Sequence, residues 1–359
     1  MIGAGAGVLK AHMPALLLPS VDLVAVTDTD EASGRSRAAE LGCALYGDHL
    51  DMLADEAPEV CVILAPQPFH ARIAIDCLEA GSHVLVEKPM AVRLDEADTM
   101  VEVAEAAGRL LAVNFQRRFR AEVRAAKRLI EGGELGDVQR ISTTNYWTRP
   151  AAYYQTTPWR ALPAIEGGGL LMNQASHDLD LLCHLLGMPE RVVAWTDTIL
   201  HDVEVEDTVQ AMLRWPGGVF GSLYTSTAGA GDEPNLAVYG TAGRLQVFEG
   251  GLEFERFGVD LKEYAAVEPD PFGPPSNPEP VQVELEVVLE GHLPVYQNLH
   301  EAILKSSPLT VDGAEGRKSL ELAHGMICSN FTREQVSLPL NRSTYASVLE
   351  ELRTAGKAK

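Results

Sequence analysis

Over its first third the chain alternates short apolar runs with longer amphipathic ones, and this alternation limits the fold more than any other feature. The apolar runs are 21–27, 60–65, 83–87 and 110–113. Each is brief and nearly continuous, as strands buried on both faces require. One intervening helical stretch carries Ile73, Cys77 and Leu78 and stops at Gly81. Another, 94–107, has acids in its first turn and Gly108 behind it, the charge and C-terminal pattern of a helix. Repeated strand–helix units predict an α/β fold with a doubly wound parallel sheet. Ligands of such sheets sit outside the carboxyl ends of the strands.

Two features fall at that edge. The run 83–87 ends in Glu87 and is followed by Lys88 and Pro89. Proline fixes its own φ and biases the residue before it towards extended backbone, so Lys88 is aimed rather than loose. The second feature is the opening, Ile-Gly-Ala-Gly-Ala-Gly over residues 2–7. Gly3, Gly5 and Gly7 allow a tight turn and close approach to a pyrophosphate, with a helix expected over 8–18 whose N-terminal amides face the anion. Asp28 ends the strand 21–27, about 20 residues after the glycines, where a ribose hydroxyl acceptor is expected. Asp28 and Asp30 together repel a 2′-phosphate, which favours NAD over NADP, although Arg35 and Arg37 lie close in sequence. A first strand should precede the glycines, and only Met1 and Ile2 do. Either that strand is cut short or it begins upstream.

Beyond residue 117 the pattern changes. A helix over 122–131 is followed by strands at 138–146, 192–198, 208–214, 219–225, 235–239, 244–248 and 252–257, with turn signals at 216–218 and 240–243. This is a second, α+β domain built on a large open, mostly antiparallel sheet, giving domains 1–117 and 118–359. Six prolines between 269 and 280 mark a surface excursion, and helices follow at 295–304 and 316–331. Within this half, residues 166–180 stand out. Three glycines, 167–169, lead into an expected helix, allowing backbone to approach a ligand closely. Asn173 and His177 are four apart, on one helix face, and histidine suits proton transfer near neutral pH. Tyr154, Trp159 and Arg160 form an aromatic and cationic wall suited to a polar ligand.

Charge excludes some partners. With 29 basic and 51 acidic residues the net charge is −22, which argues against nucleic acid and an anionic membrane surface. No apolar run is long enough to span a bilayer. The first 20 residues lack a basic start and contain Pro14 and Pro19, unlike a signal peptide. Five cysteines without a CxxC pair fit reduced thiols in a cytoplasmic protein. His184, His201 and the scattered acids form no metal-ligand set, so no metal is expected.

The N-terminal glycines, Asp28, Glu87-Lys88-Pro89, Arg117-Arg118-Phe119, and 167–169 followed by His177 and Asp180 together resemble the glucose–fructose oxidoreductase, inositol dehydrogenase and MocA (Gfo/Idh/MocA) family, nearly end to end. The resemblance implies a Rossmann domain, NAD(P)-dependent redox chemistry on sugars and polyols, and homodimers or homotetramers formed across the second sheet. Lys88 matches the family's active-site lysine and His177 its catalytic histidine. Many members carry Asp where this chain has Asn173, which can bind a substrate hydroxyl but cannot act as a base. The expected cofactor contacts are Gly3, Gly5, Ala6, Gly7, Asp28, Ala65, Pro66, His70, Glu87, Lys88, Gln116 and Arg117. The expected substrate contacts are Asn173, Trp159, Arg160 and Tyr154. Lys88 holds the reacting oxygen and His177 takes the hydroxyl proton. Three alternatives share these motifs: a non-catalytic dinucleotide-binding regulator, a glycoside-processing enzyme that retains NAD and oxidises transiently, and a reductase of another carbonyl class.

Overall fold

The computed structural model describes residues 1–157, 160–231 and 235–356. It divides into two compact units, one of 1–116, 165–167 and 289–321, the other of 117–164, 168–288 and 322 onward. The single cut at 117 expected from sequence is only one of several crossings, because the chain returns to the first unit. The helix Leu293–Lys305 buries Val295, Tyr296, Leu299 and Ala302 there. A second helix starts at Gly313, where Gly313 and Gly316 seat it against Leu111 and Val113. A Cβ on Gly316 would come within 2.4 Å of the Val113 side chain, so the close packing depends on the missing side chain.

The first unit is built on parallel strands β1 (Ala25–Thr27), β2 (Ala44–Tyr46), β3 (Val60–Ile63), β4 (His83–Val86) and β5 (Leu111–Val113). β1 pairs with β2, and β3, β4 and β5 pair in that order, all in parallel. Ile2 joins the two groups. It bridges Thr27 on one side and Ile63 on the other, its N–H donating to Val62 and its carbonyl accepting from Leu64. Ile2 therefore holds the first-strand position, paired on both sides. β3 and β4 are almost wholly buried, which explains their unbroken apolar sequence. The helix expected over 8–18 is split into α-helix Leu9–His12 and 3-10 helix Met13–Leu17. Pro14 cannot donate within a continuing α-helix, and the chain tightens there.

Among the described residues the second unit holds nine strands: β6 (Val138–Tyr146), β7 (Arg191–Asp197), β8 (Thr208–Arg214), β9 (Phe220–Ser226), β10 (Asn235–Gly240), β11 (Gly243–Phe248), β12 (Gly251–Arg256), β13 (Glu279–Val281) and β14 (Val336–Ser337). Their order is β13-β12-β11-β10-β6-β9-β8-β7-β14. Every pair is antiparallel except β6 with β9. Along β8 burial alternates residue by residue, one side set into the core and the other open. The short edge strands β13 and β14 have no apolar alternation of their own. β13 lies inside the proline-rich excursion, and Glu279 to Val281 pair with β12.

Candidate active site

In the first unit the glycine turn lies at the carboxyl edge of the sheet. Gly3 has a φ of +89°, and a Cβ on it would meet the Ala65 nitrogen at 2.6 Å. Glycine is thus required both by backbone conformation and by the close passage of the loop after β3. The Gly5 N–H donates to Asp28 Oδ2 at 2.5 Å, and Asp28 Oδ1 accepts from the Asp30 N–H at 2.8 Å. Among the described residues nothing stands within 4 Å of a Cβ built on Gly7. The buried Oε1 of Gln116 has no hydrogen-bond partner among the described residues. An open glycine turn beside a carboxylate, with an orphaned acceptor at the end of the unit, fits a dinucleotide: amides for a pyrophosphate and Asp28 for a ribose hydroxyl.

Lys88 follows β4 at the same edge, half-buried. The residues around its turn are more heavily engaged than sequence indicates. Glu87 is 9% exposed. Its Oε1 accepts from His12 Nε2 at 2.9 Å and from the Asn114 side-chain amide, and His292 Nε2 stands 3.6 Å away. Burial alone would raise the Glu87 carboxyl. The hydrogen bonds from His12 and Asn114, with the His292 ring alongside, reverse this and hold it well below the usual range. The Glu87 carboxylate, expected at the cofactor, is thus committed to the protein interior. His70, also expected at the cofactor, is likewise turned inward. Its ring is 2% exposed, with Nδ1 2.9 Å from the Pro89 carbonyl and Nε2 2.7 Å from that of Ala65. Burial pushes its pKa down, against the pull of those two carbonyls. The ring lies between the lysine turn and the loop after β3, and as a neutral imidazole it donates to one of the two carbonyls. Ala6 and Pro66 are half-buried and exposed, respectively.

In the second unit His177 lies in the first turn of the helix Ser176–Leu186, 8% exposed. Asn173 is not on that helix. It occupies the preceding turn, where its N–H and its side-chain amide both donate to the Gly169 carbonyl at 3.1 Å. Its carbonyl accepts from Ser176 Oγ. Part of the triple-glycine stretch serves packing rather than ligand approach. A Cβ on Gly169 would fall 2.4 Å from the Glu206 carbonyl oxygen, and the Glu206 carboxylate accepts from the N–H groups of Gly169 and Leu171 at 2.9 Å.

Two arginines open this unit. Arg118 meets Asp180 through Nε and Nη2, at 3.0 and 2.7 Å, with both side chains 1% exposed. The Asp180 of the sequence motif is therefore clamped in a buried, bidentate ion pair. Arg117 stacks over Trp147 at 4.7 Å and reaches Asp178 at 3.3 Å, while Trp147 Nε1 donates to the other Asp178 oxygen at 3.1 Å. Burial pushes the Arg117 guanidinium down and the Asp178 charge opposes it. Arg160 lies over the Tyr153 ring at 4.4 Å, and Gln174 Nε2 donates to the Tyr153 hydroxyl at 2.6 Å. Tyr154 donates to or accepts from Thr227 at 2.7 Å and packs on His201. Arg160 and Tyr154 thus share one aromatic cluster, while Trp159 lies outside the described residues.

Sequence reasoning missed His12, Asn114, His292 and Tyr296 around Glu87, and Gln174, Trp147 and Asp178 near His177. Only Asn114 carried a signal, as a polar residue directly after a buried strand. His12, Glu87 and His292 also place three potential metal-ligating atoms within 4.8 Å of one another, a set drawn from segments far apart in the chain.

This fold and its glycine–acid edge define an NAD-binding oxidoreductase with a Rossmann domain. Residues 1–115 match the oxidoreductase family model with an NAD-binding Rossmann fold, and 123–246 match the GFO/IDH/MocA C-terminal domain. The chain belongs to the Gfo/Idh/MocA family of NAD(P)-dependent dehydrogenases acting on alcohol groups. It is 39% identical over 183 residues to the 1-carboxy-3-chloro-3,4-dihydroxycyclohexa-1,5-diene dehydrogenase of Comamonas testosteroni, a match covering 49% of this chain and 45% of that one. It is 25% identical over 310 residues to the myo-inositol 2-dehydrogenase of Thermotoga maritima, covering 84% and 86%. The WlbA dehydrogenase of Bordetella pertussis, solved with NADH and UDP-GlcNAcA, superposes with a TM-score of 0.82 at 29% identity, covering 95% and 97%. Among the described residues no helix is long and apolar enough to cross a membrane.

Proposed function

We propose that this protein interconverts a secondary alcohol and a ketone on a ring-shaped polyol or sugar derivative, with Lys88 and His177 as its catalytic side chains. The nicotinamide of bound NAD supplies the hydride acceptor. Lys88 donates a hydrogen bond to the reacting oxygen and stabilises negative charge as it develops there. His177 takes the hydroxyl proton in oxidation and returns it in reduction. Asn173, Arg160 and Tyr154 orient the remaining hydroxyls. Asn173 contributes hydrogen bonds and no proton transfer, since an amide does not titrate.

The observation that carries this reading is the state of the lysine turn. An amine follows a buried strand at the carboxyl edge, beside a carboxylate held by His12 and Asn114 and a carbonyl that His70 Nδ1 meets at 2.9 Å. Such support is what a reacting group needs and a solvated surface turn does not. Cyclic diols and polyols are the favoured class because the relatives' names share a hydroxylated six-membered ring. Asp28 and Asp30 favour NAD over NADP through charge repulsion of the 2′-phosphate. The test is formation of NADH or NADPH at 340 nm over a panel of inositols, hexoses, uronic-acid sugars and ring trans-diols. NADH formation with a cyclic polyol, at least about ten-fold faster than with NADP, is expected; that ratio is worth about 1.4 kcal/mol. No reduction of either cofactor by any ring alcohol sinks the reading.

A further inference from the structure

The strongest feature outside the reacting groups is the cage around Glu87. It gathers residues from four parts of the first unit. His12 comes from the short helix after the glycine turn, Glu87 from the end of β4 and Asn114 from the end of β5. His292 caps the helix that returns near the C-terminus. The His12 ring is fully buried and spans the cage. Its Nε2 lies 2.9 Å from Glu87 Oε1 and its Nδ1 2.9 Å from the Tyr296 hydroxyl. Burial pushes the Tyr296 hydroxyl far up, and the Glu87 charge adds to this, so it stays protonated and can donate. His12 then donates from Nε2 to the carboxylate, its tautomer set by Tyr296. The His292 ring packs on His12 with centroids 4.5 Å apart.

The cage ends on the lysine. Glu87 Oε2 is 3.3 Å from the Lys88 backbone N–H. One flank of the turn is therefore tied to His12 through Glu87. On the other flank His70 Nδ1 stands 2.9 Å from the Pro89 carbonyl. An amine that must hit a reacting oxygen is sensitive to small rotations of its own backbone, and a misplacement of 1 Å can cost about 100-fold in rate.

A metal ion is the competing occupant, since three ligating atoms converge. The protein already fills that role with hydrogen bonds. The His12–Glu87 separation is hydrogen-bond length, the second His12 nitrogen is taken by Tyr296, and the Asn114 amide occupies the carboxylate oxygen an ion would use.

We propose that His12 is a positioning residue for the Lys88 amine, acting through the Glu87 carboxylate. This rests on the reading of Lys88 as a catalytic residue. The test is a double-mutant cycle on the full chain, with saturating NAD and the panel polyol that turns over fastest. His12→Ala lowers kcat by about 10- to 100-fold while the KM for NAD changes by less than about three-fold. His12→Gln, which keeps a donor towards Glu87, recovers most of that loss. In a Lys88→Ala background, His12→Ala changes kcat by less than about two-fold, because the group it positions is gone. Equal losses in both backgrounds overturn the proposal, as does stoichiometric metal in the purified protein. Near-normal turnover by Lys88→Ala alone removes the premise instead, and is seen before the cycle is closed. Should His12→Ala not fold, Glu87→Gln takes its place in the same cycle.

Discussion

The Glu87 carboxylate is held well below the usual carboxyl range, and its energetics make a direct prediction. Its folded pKa lies below the ordinary value of 4.5. A depressed carboxyl contributes stability that is fully present above the unfolded value and is lost as pH falls through the folded one. Glu87→Gln, which loses the charge but keeps the shape, is expected to cost about 1–3 kcal/mol of unfolding free energy at pH 7. That difference should shrink towards zero below pH 4.5, read by urea unfolding across pH. A difference that is constant with pH contradicts an ionised, caged Glu87. The same scale shows what sequence could and could not tell about side chains. Lys88 was legible because strand periodicity and Pro89 fix its place. The inward turn of Glu87 and His70 was not. It depends on His12, Asn114 and the carbonyls of Ala65 and Pro89, and no local pattern announces which of two neighbouring polar side chains faces the interior.

At the scale of elements, the turn 167–175 is the most informative. Glycine-rich backbone reads as room for a ligand, yet Gly169 is small because the Glu206 carbonyl lies against it. Gly169→Ala should therefore destabilise the fold by about 1–3 kcal/mol, as overpacking does, lowering the thermal midpoint by several degrees. A midpoint within one degree of wild type would contradict the packing reading. The long βα elements and the seven principal strands of the second sheet were readable from periodicity, since each carries its own apolar pattern. The three-residue strands β2 and β13 and the two-residue β14 were not, because their pairing is decided by the neighbours they meet. The Asn173–His177 spacing misled for a related reason. Helical spacing was assumed across a turn, and the helix begins only at Ser176.

At the scale of the molecule, the open face of the second sheet calls for cover. Trp195 and Met212 are each 55% exposed and Phe220 is 51% exposed, on the adjacent strands β7, β8 and β9. In the ladder Trp195 faces Gln210, Val193 faces Met212, and Arg214 faces Phe220. Exposed apolar side chains on neighbouring strands of one sheet face favour association. We propose a homodimer or homotetramer formed through this face. Light scattering should give two or four chains for the wild type and one for a Trp195→Glu, Met212→Lys double variant. A wild-type monomer at micromolar concentration contradicts it. The central claim is that one amine and one imidazole carry the chemistry. The most direct measurement is turnover of Lys88→Ala and His177→Ala on the panel substrate, beside NAD affinity by calorimetry. Each variant should bind NAD within a few-fold of wild type and lose about 10²- to 10⁴-fold in kcat. Near-wild-type turnover by either would contradict the account.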